Sequence, residues 1–370
     1  MIGTHATTRP SQCLAADLHD RVADGHAGVL RDDAAATPQG RAAEPAATSS
    51  ALSLQSAADD NVEDFLAQRY TAFENASRRS GDLRRRILFS LKVIDDEQRL
   101  RVEEIIALAD LIEAARGSTD PIVLQLLLDR CRDKIKHSRC DAVDLAQRWV
   151  VADAQNQLAW IELATVLEQA GDLRGSEEAW SRAGRASTFR DHYFPVVRII
   201  LHALPADPDP RVHFADLITA IGIGAAVRTD WPVDTSKGCK SEARRPVCAW
   251  IADTVFRDGD SFMALLIAQD ITRRTAQSEA LAAARKQTLQ ALLWASLLQS
   301  EAIDPDTIDF TDRAKLSAAI RVLEQLIERG AVAAHRDALR EMHLSDAEAS
   351  ERYHAWLVAH SSKAQENPRP

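Results

Sequence analysis

Apolar residues recur every three to four positions through most of this chain, and no two-residue alternation of useful length appears. That spacing puts apolar side chains on one helix face, so the pattern predicts an all-α fold without a sheet. Val62, Phe65, Leu66, Arg69, Tyr70 and Phe73 trace the first stripe, with Asp59, Asp60 and Asn61 in front as cap candidates. Val102, Ile105, Ile106, Ala109 and Ile112 trace another. Asp120-Pro121 and Asp209-Pro210 each open a helix. The aspartate accepts from a free first-turn N–H, and the proline sits where its missing N–H costs nothing. The second of these leads into Phe214, Leu217, Ile218 and Ile221. Pro246 starts a helix through Cys248, Ile251, Ala252 and Val255, which Asp258-Gly259-Asp260 ends. Residues 261–300 read as two helices or one kinked helix, and Ser345 with Glu348 forms a capping box ahead of Tyr353, Trp356 and Leu357.

Residues 1–58 lack a sustained apolar period. They are expected to form a disordered arm, dispensable for folding, because they bury too little apolar surface to offset their ordering entropy. The tail at 361–370 reads the same way. Between them, the proline-rich stretch from Leu204 to Pro210 is the best break. It divides a helical domain at 59–204 from another at 205–360. A further irregular stretch is expected from Arg228 to Arg245, holding Pro232, Gly238 and Cys239.

Within the first domain, Trp160, Leu163, Ala164 and Leu167 follow a large, Leu, small, large order on one helix. Gly171-Asp172 supplies a turn, and Ser176, Trp180 and Ala183 give small, aromatic and small positions on the next. Small residues let two helices approach and large ones fill the gap between them. On these residues, 157–190 resembles one tetratricopeptide repeat. The preceding 34 residues fit the register weakly through Ala142, Ala146 and the turn Asp153-Ala154-Gln155-Asn156, where the family's closing proline is missing. The resemblance implies an irregular array of antiparallel helical hairpins that binds a protein or peptide. It also implies that Trp160 and Trp180 interdigitate between the two helices. Ile161, Thr165, Glu168 and Gln169 would lie on an open concave face. More loosely, the chain is similar to uncharacterised helical envelope proteins of proteobacteria with paired cysteines, which carry no known activity.

Four of the five cysteines fall into two pairs of equal spacing, Cys131 with Cys140 and Cys239 with Cys248. Each pair sets one cysteine on a helix and one in the adjoining connection, which suits a short disulfide loop. The spacing lacks the close Cys-x2–4-Cys step of a zinc site, so no metal is expected. Paired disulfides point to the periplasm or the exterior. No positive and apolar leader is visible at the N-terminus, so the alternative is a cytoplasmic protein with four core cysteines.

Composition narrows the function classes. The net charge of -10 argues against nucleic-acid binding and against docking on anionic membranes. No run of 18 apolar residues occurs, so no membrane span is expected. No metalloprotease, nucleophile-elbow or phosphate-loop motif occurs, and no cofactor is expected. Gly222 and Gly224, with Ala225 and Ala226, read as close helix packing. Asp191-His192, His202 and His213 invite a metal reading, but their spacings do not repeat by helix turns, and any cryptic hydrolase site would fall in this region, 191–213. His335, His343, His354 and His360 read as solvated faces, as does Arg84-Arg85-Arg86. The leading expectation is an interaction module for a protein or peptide. An envelope or secreted hydrolase and a purely structural helical domain are the alternatives.

Overall fold

The computed structural model describes residues 62–78, 80–93, 112–113, 115–133, 141–226, 231–275, 278–303, 308 and 310–366. The arm at 1–58, the stripe at 102–111 and the last four residues of the tail lie outside these. The described residues form an all-α fold of fifteen helices with no strand. In chain order these are α1 (Val62–Arg78), α2 (Leu83–Val93), α3 (Pro121–Asp133), α4 (Ala142–Ala152) and α5 (Gln157–Gln169). Next come α6 (Leu173–Ala183), α7 (Tyr193–Leu201), α8 (Pro210–Ala226), α9 (Trp231–Gly238) and α10 (Arg245–Asp258), a 3-10 turn at Glu242–Arg244 preceding α10. The last five are α11 (Phe262–Thr275), α12 (Glu279–Ile303), α13 (Arg313–Arg329), α14 (Ala331–Glu341) and α15 (Asp346–Glu366). No described helix is long and apolar enough to cross a membrane.

The caps follow from local chemistry. Asp120 accepts from the Ile122 N–H at 3.1 Å, Asp209 from the Arg211 N–H at 2.8 Å, and Ser345 from the Glu348 N–H at 3.3 Å. Gly171 turns α5 into α6 at φ 85°, in the left-handed region, and Asp172 caps α6 through the Gly175 N–H. Residues 261–300 resolve into two helices, α11 and α12.

Residues 68–370 form one compact unit, and 1–67 fall in another. Within the larger unit, successive helices pack on one another: α3 on α4, α4 on α5, α5 on α6, α7 on α8 and α10 on α11. The proline-rich stretch, expected to separate a pair of domains, is a bend between packed helices, α7 and α8, and both also meet α13. Gly224 is needed where α8 crosses α7, because a Cβ there would stand 2.6 Å from Val197 Cγ2. Gly222 has no such neighbour.

Several local expectations are corrected. The stretch from 228 to 245 is not irregular: α9 and the 3-10 turn occupy most of its described residues. His335 is not solvated. It is 3% exposed beside Phe262, and burial holds its pKa down at about 4. The Arg84-Arg85-Arg86 run is not a free solvated face, since Arg84 pairs with Asp120 and Arg85 donates to the His202 carbonyl.

Candidate functional site

Two places carry the candidate residues: the hairpin α5/α6, and a cavity where the start of α7 meets the turn between α13 and α14. The hairpin core follows the predicted spacing. Leu163, Ala164, Leu167, Ala183 and Trp180 are all buried. Trp160 departs from it. It is half-buried at the hairpin's edge, where its indole N–H donates to the Ala154 carbonyl at 2.8 Å and Arg182 lies over its ring.

The concave face is not open. Ile161 is fully buried and Thr165 half-buried, its hydroxyl donating to the Ile161 carbonyl. The helix α5 is packed on by α4, α6 and α9, and Trp231 of α9 is buried against Phe189. Gly238, at the end of α9, lies so close to the Trp180 ring that any Cβ would overlap it. Arg244, from the following turn, stacks over Trp180 at 5.0 Å and pairs with Glu177 at 2.6 Å and Glu168 at 3.4 Å. Of the four residues expected on the open face, only Glu168 and Gln169 are exposed.

A disulfide staples this cover. Cys239 and Cys248 are bonded, with Cα atoms 5.7 Å apart, and so tie the end of α9 to α10 across the turn that presents Arg244. Such a pair is compatible with an oxidising compartment. The Cys131–Cys140 expectation lies outside the described residues at Cys140. Replacing both Cys239 and Cys248 with alanine should cost about 2–3 kcal/mol, because the bond closes a short loop in the unfolded chain. Equilibrium denaturation of the double variant measures it. Glu168→Ala with Gln169→Ala should change stability by no more than about 0.5 kcal/mol, since Glu168 is 51% exposed and its ion pair is solvent-screened. A thermal melt checks this.

The cavity has a volume of about 280 Å³ and is lined by Arg190, His192, Phe194, Arg198, Asp260, Arg329 and neighbours. One of its lining residues, Asp260, meets Asp191 from a distant stretch of the chain. Asp191 precedes α7, and Asp260 joins α10 to α11. Asp260 hydrogen-bonds the Asp191 carboxyl. Asp191 also accepts from the Ser261 hydroxyl at 2.9 Å and the Tyr193 N–H at 3.1 Å. Burial, with the adjacent Asp191 charge, pushes the Asp260 pKa up to about 8, so this acid holds its proton at neutral pH.

His192 sits beside the pair at φ 57°, a conformation uncommon for a residue with a Cβ. Gln125 holds it on both sides of the peptide: Oε1 faces His192 Nδ1 at 2.7 Å, and Nε2 donates to the Asp191 carbonyl at 3.1 Å. Burial lowers the His192 pKa, against the opposing charges of Asp153 and Asp191. The imidazole therefore stays neutral near pH 7. Of the residues in the 191–213 proposal, Asp191 and His192 come together here. His202 and His213 do not: the His202 backbone carbonyl binds Arg85, and His213 faces Glu324 at 2.9 Å. No three His, Cys, Asp or Glu side chains among the described residues are grouped to hold a metal ion. Asp260 was missed from sequence, where it read only as the end of a helix. No family model matches the chain, and neither a curated protein nor a solved structure shows significant similarity to it.

Proposed function

We propose that this protein is an interaction module, an array of helical hairpins with a tetratricopeptide-like unit at 157–190, that holds a segment of a protein or peptide partner. The reading is supported by the cavity at the α7 entrance. It is concave and preorganised by Gln125 and the Arg198 hydrogen bonds, and it is large enough for one side chain or a chain end. The hairpin's concave face, by contrast, is packed over by neighbouring helices, so docking is assigned to the cavity. The periplasm or exterior is the proposed compartment, supported by the Cys239–Cys248 bond.

The carboxyl pair favours a second reading, acid–base hydrolysis. It ranks lower because both Asp191 oxygens already accept hydrogen bonds and His192 directs Nδ1 to Gln125, not to a hydroxyl. A photo-crosslinking residue placed at Arg190, compared with one at Gln169, tests the docking site in the native host. A discrete adduct from position 190 and none from 169 is the expected result. Adducts from 169 alone would move the site back to the hairpin, and none from either would remove the reading.

A further inference from the structure

We propose that the cavity at the α7 entrance binds an acidic group, a carboxylate or a phosphate, and that the Asp191–Asp260 pair gates this binding by the proton it shares. The inference rests on the reading of this cavity as the docking point and names the chemistry of what docks there.

The lining is biased toward positive charge in a chain whose net charge is -10. Three arginines, Arg190, Arg198 and Arg329, line it against two acidic residues, Glu328 and Asp260. Their availability differs. Arg329 is committed to Asp337, which Arg340 also reaches. Arg198 is held by one nitrogen, donating to the Ile327 carbonyl at 3.3 Å and the Glu328 carbonyl at 3.1 Å, which leaves the rest of its guanidinium in a fixed position. Arg190 makes no ion pair with any described carboxylate. A planar guanidinium presents paired donors that match carboxylate and phosphate oxygens. The volume of about 280 Å³ lies at the lower edge of ligand pockets and suits a small anion or one acidic side chain.

The gate is a matter of position. Asp260 is pinned between α10 and the α13–α14 turn: its carbonyl accepts from the Val332 N–H, and a Cβ on Gly330 would stand 2.8 Å from its own Cβ. Its backbone and Cβ are therefore fixed at the cavity wall. With one proton between them, the pair carries a single negative charge. Loss of that proton adds a second charge acting on Arg198 in the same lining, in competition with an incoming anion.

The groups around Asp260 leave this titration alone in the neutral-to-alkaline range. The segment before α7 brings Arg190, Asp191 and His192, and α7 brings Arg198. From α13 come Glu328 and Arg329, from α10 Asp258, and from α14 His335 and Asp337. Burial keeps His192 and His335 neutral there, and only Asp260 is moved into the window, to about 8.

Calorimetric titration of the full chain tests the proposal, with inorganic phosphate as one probe and an acetylated, amidated diglutamate peptide as the other. The peptide's charge is constant between about pH 6.5 and about pH 9, so it reports the gate. Saturable binding is expected at the lower pH, weakened at least about tenfold at the higher. Arg190→Glu, at an exposed position, should abolish it with an unchanged melting temperature. Asp260→Asn should retain binding and remove the pH dependence. Binding of phosphate alone would identify a phosphate site, and binding of the peptide alone an acidic segment. Saturation by neither probe would overturn the proposal even if crosslinks from position 190 persisted. An unaltered pH profile in Asp260→Asn would overturn the gate.

Discussion

Truncating Trp180 to alanine is expected to destabilise the protein by about 3–5 kcal/mol, the range for removing a buried large aromatic. The ring is 2% exposed and lies where three elements meet. It fills the space between α5 and α6, takes the Gly238 backbone against its edge, and carries Arg244 on its face. Removing it opens a cavity and strips Arg244, itself 9% exposed, of its stacking partner. Arg244 would keep Glu177 and Glu168, so the loss is packing more than an unpaired charge. Trp160→Ala is the internal control. That ring is only half-buried, so its truncation should cost about 1–2 kcal/mol. Chemical denaturation of both variants decides it. Equal losses would mean that Trp160 and Trp180 are interchangeable fillers of the hairpin, as a symmetric repeat implies. A loss below about 1 kcal/mol for Trp180 would contradict its place at the junction.

Stability is expected to fall between about pH 6.5 and about pH 8, and Asp260→Asn should remove most of that fall. The sign follows from proton binding. An unfolded aspartate releases its proton near pH 4, whereas the folded chain keeps it on Asp260 until about 8. Between about pH 4 and about pH 6.5 that extra proton is offset by His192 and His335, whose lowered folded pKa leaves them neutral where the unfolded imidazoles are charged; above about pH 6.5 the Asp260 proton is uncompensated. The stabilisation is complete below the unfolded pKa and is lost as pH rises through the folded one. Each unit corresponds to about 1.4 kcal/mol. Over that window of about 1.5 units the loss should be on the order of 2 kcal/mol. Asparagine keeps the shape and can donate its amide N–H to the Asp191 carboxylate, without an ionisation to suppress. Melting temperatures should therefore decline above about pH 6.5 in the wild type and run nearly flat there in the variant. At about pH 8 the variant should melt a few degrees higher. Parallel slopes would show that Asp260 ionises without consequence for the fold.

These two sites differ in how visible they are in the sequence. Trp180 sits at the spacing the hairpin pattern assigns to a packed aromatic, and a single helix period is enough to find it. Asp260 has no local signal, because the residue that raises its pKa belongs to a different stretch of chain.

The same division runs through the molecule. Asp120-Pro121, Asp209-Pro210, Gly171-Asp172 and Ser345 with Glu348 act within one helical turn of themselves, so the helix starts and the hairpin turn could be read directly. The all-α class followed from the apolar period, and the equal cysteine spacing pointed to Cys239–Cys248, whose two sulfurs lie close along the chain. The α9 helix could not be read this way. It is eight residues long, contains Pro232 and Gly238, and buries only Trp231 and Thr235. Its order comes from docking on α5 and α11, not from propensity. Packing of neighbouring helices on α5 made Ile161 core and left Glu168 and Gln169 exposed. Phe262 similarly took His335 out of solvent. Sequence by itself determined where helices begin, end and present apolar stripes, because those depend on neighbours within a few residues. Which stripes are covered, and which carboxyls meet, was decided only by tertiary packing, which brings together residues that share no local pattern.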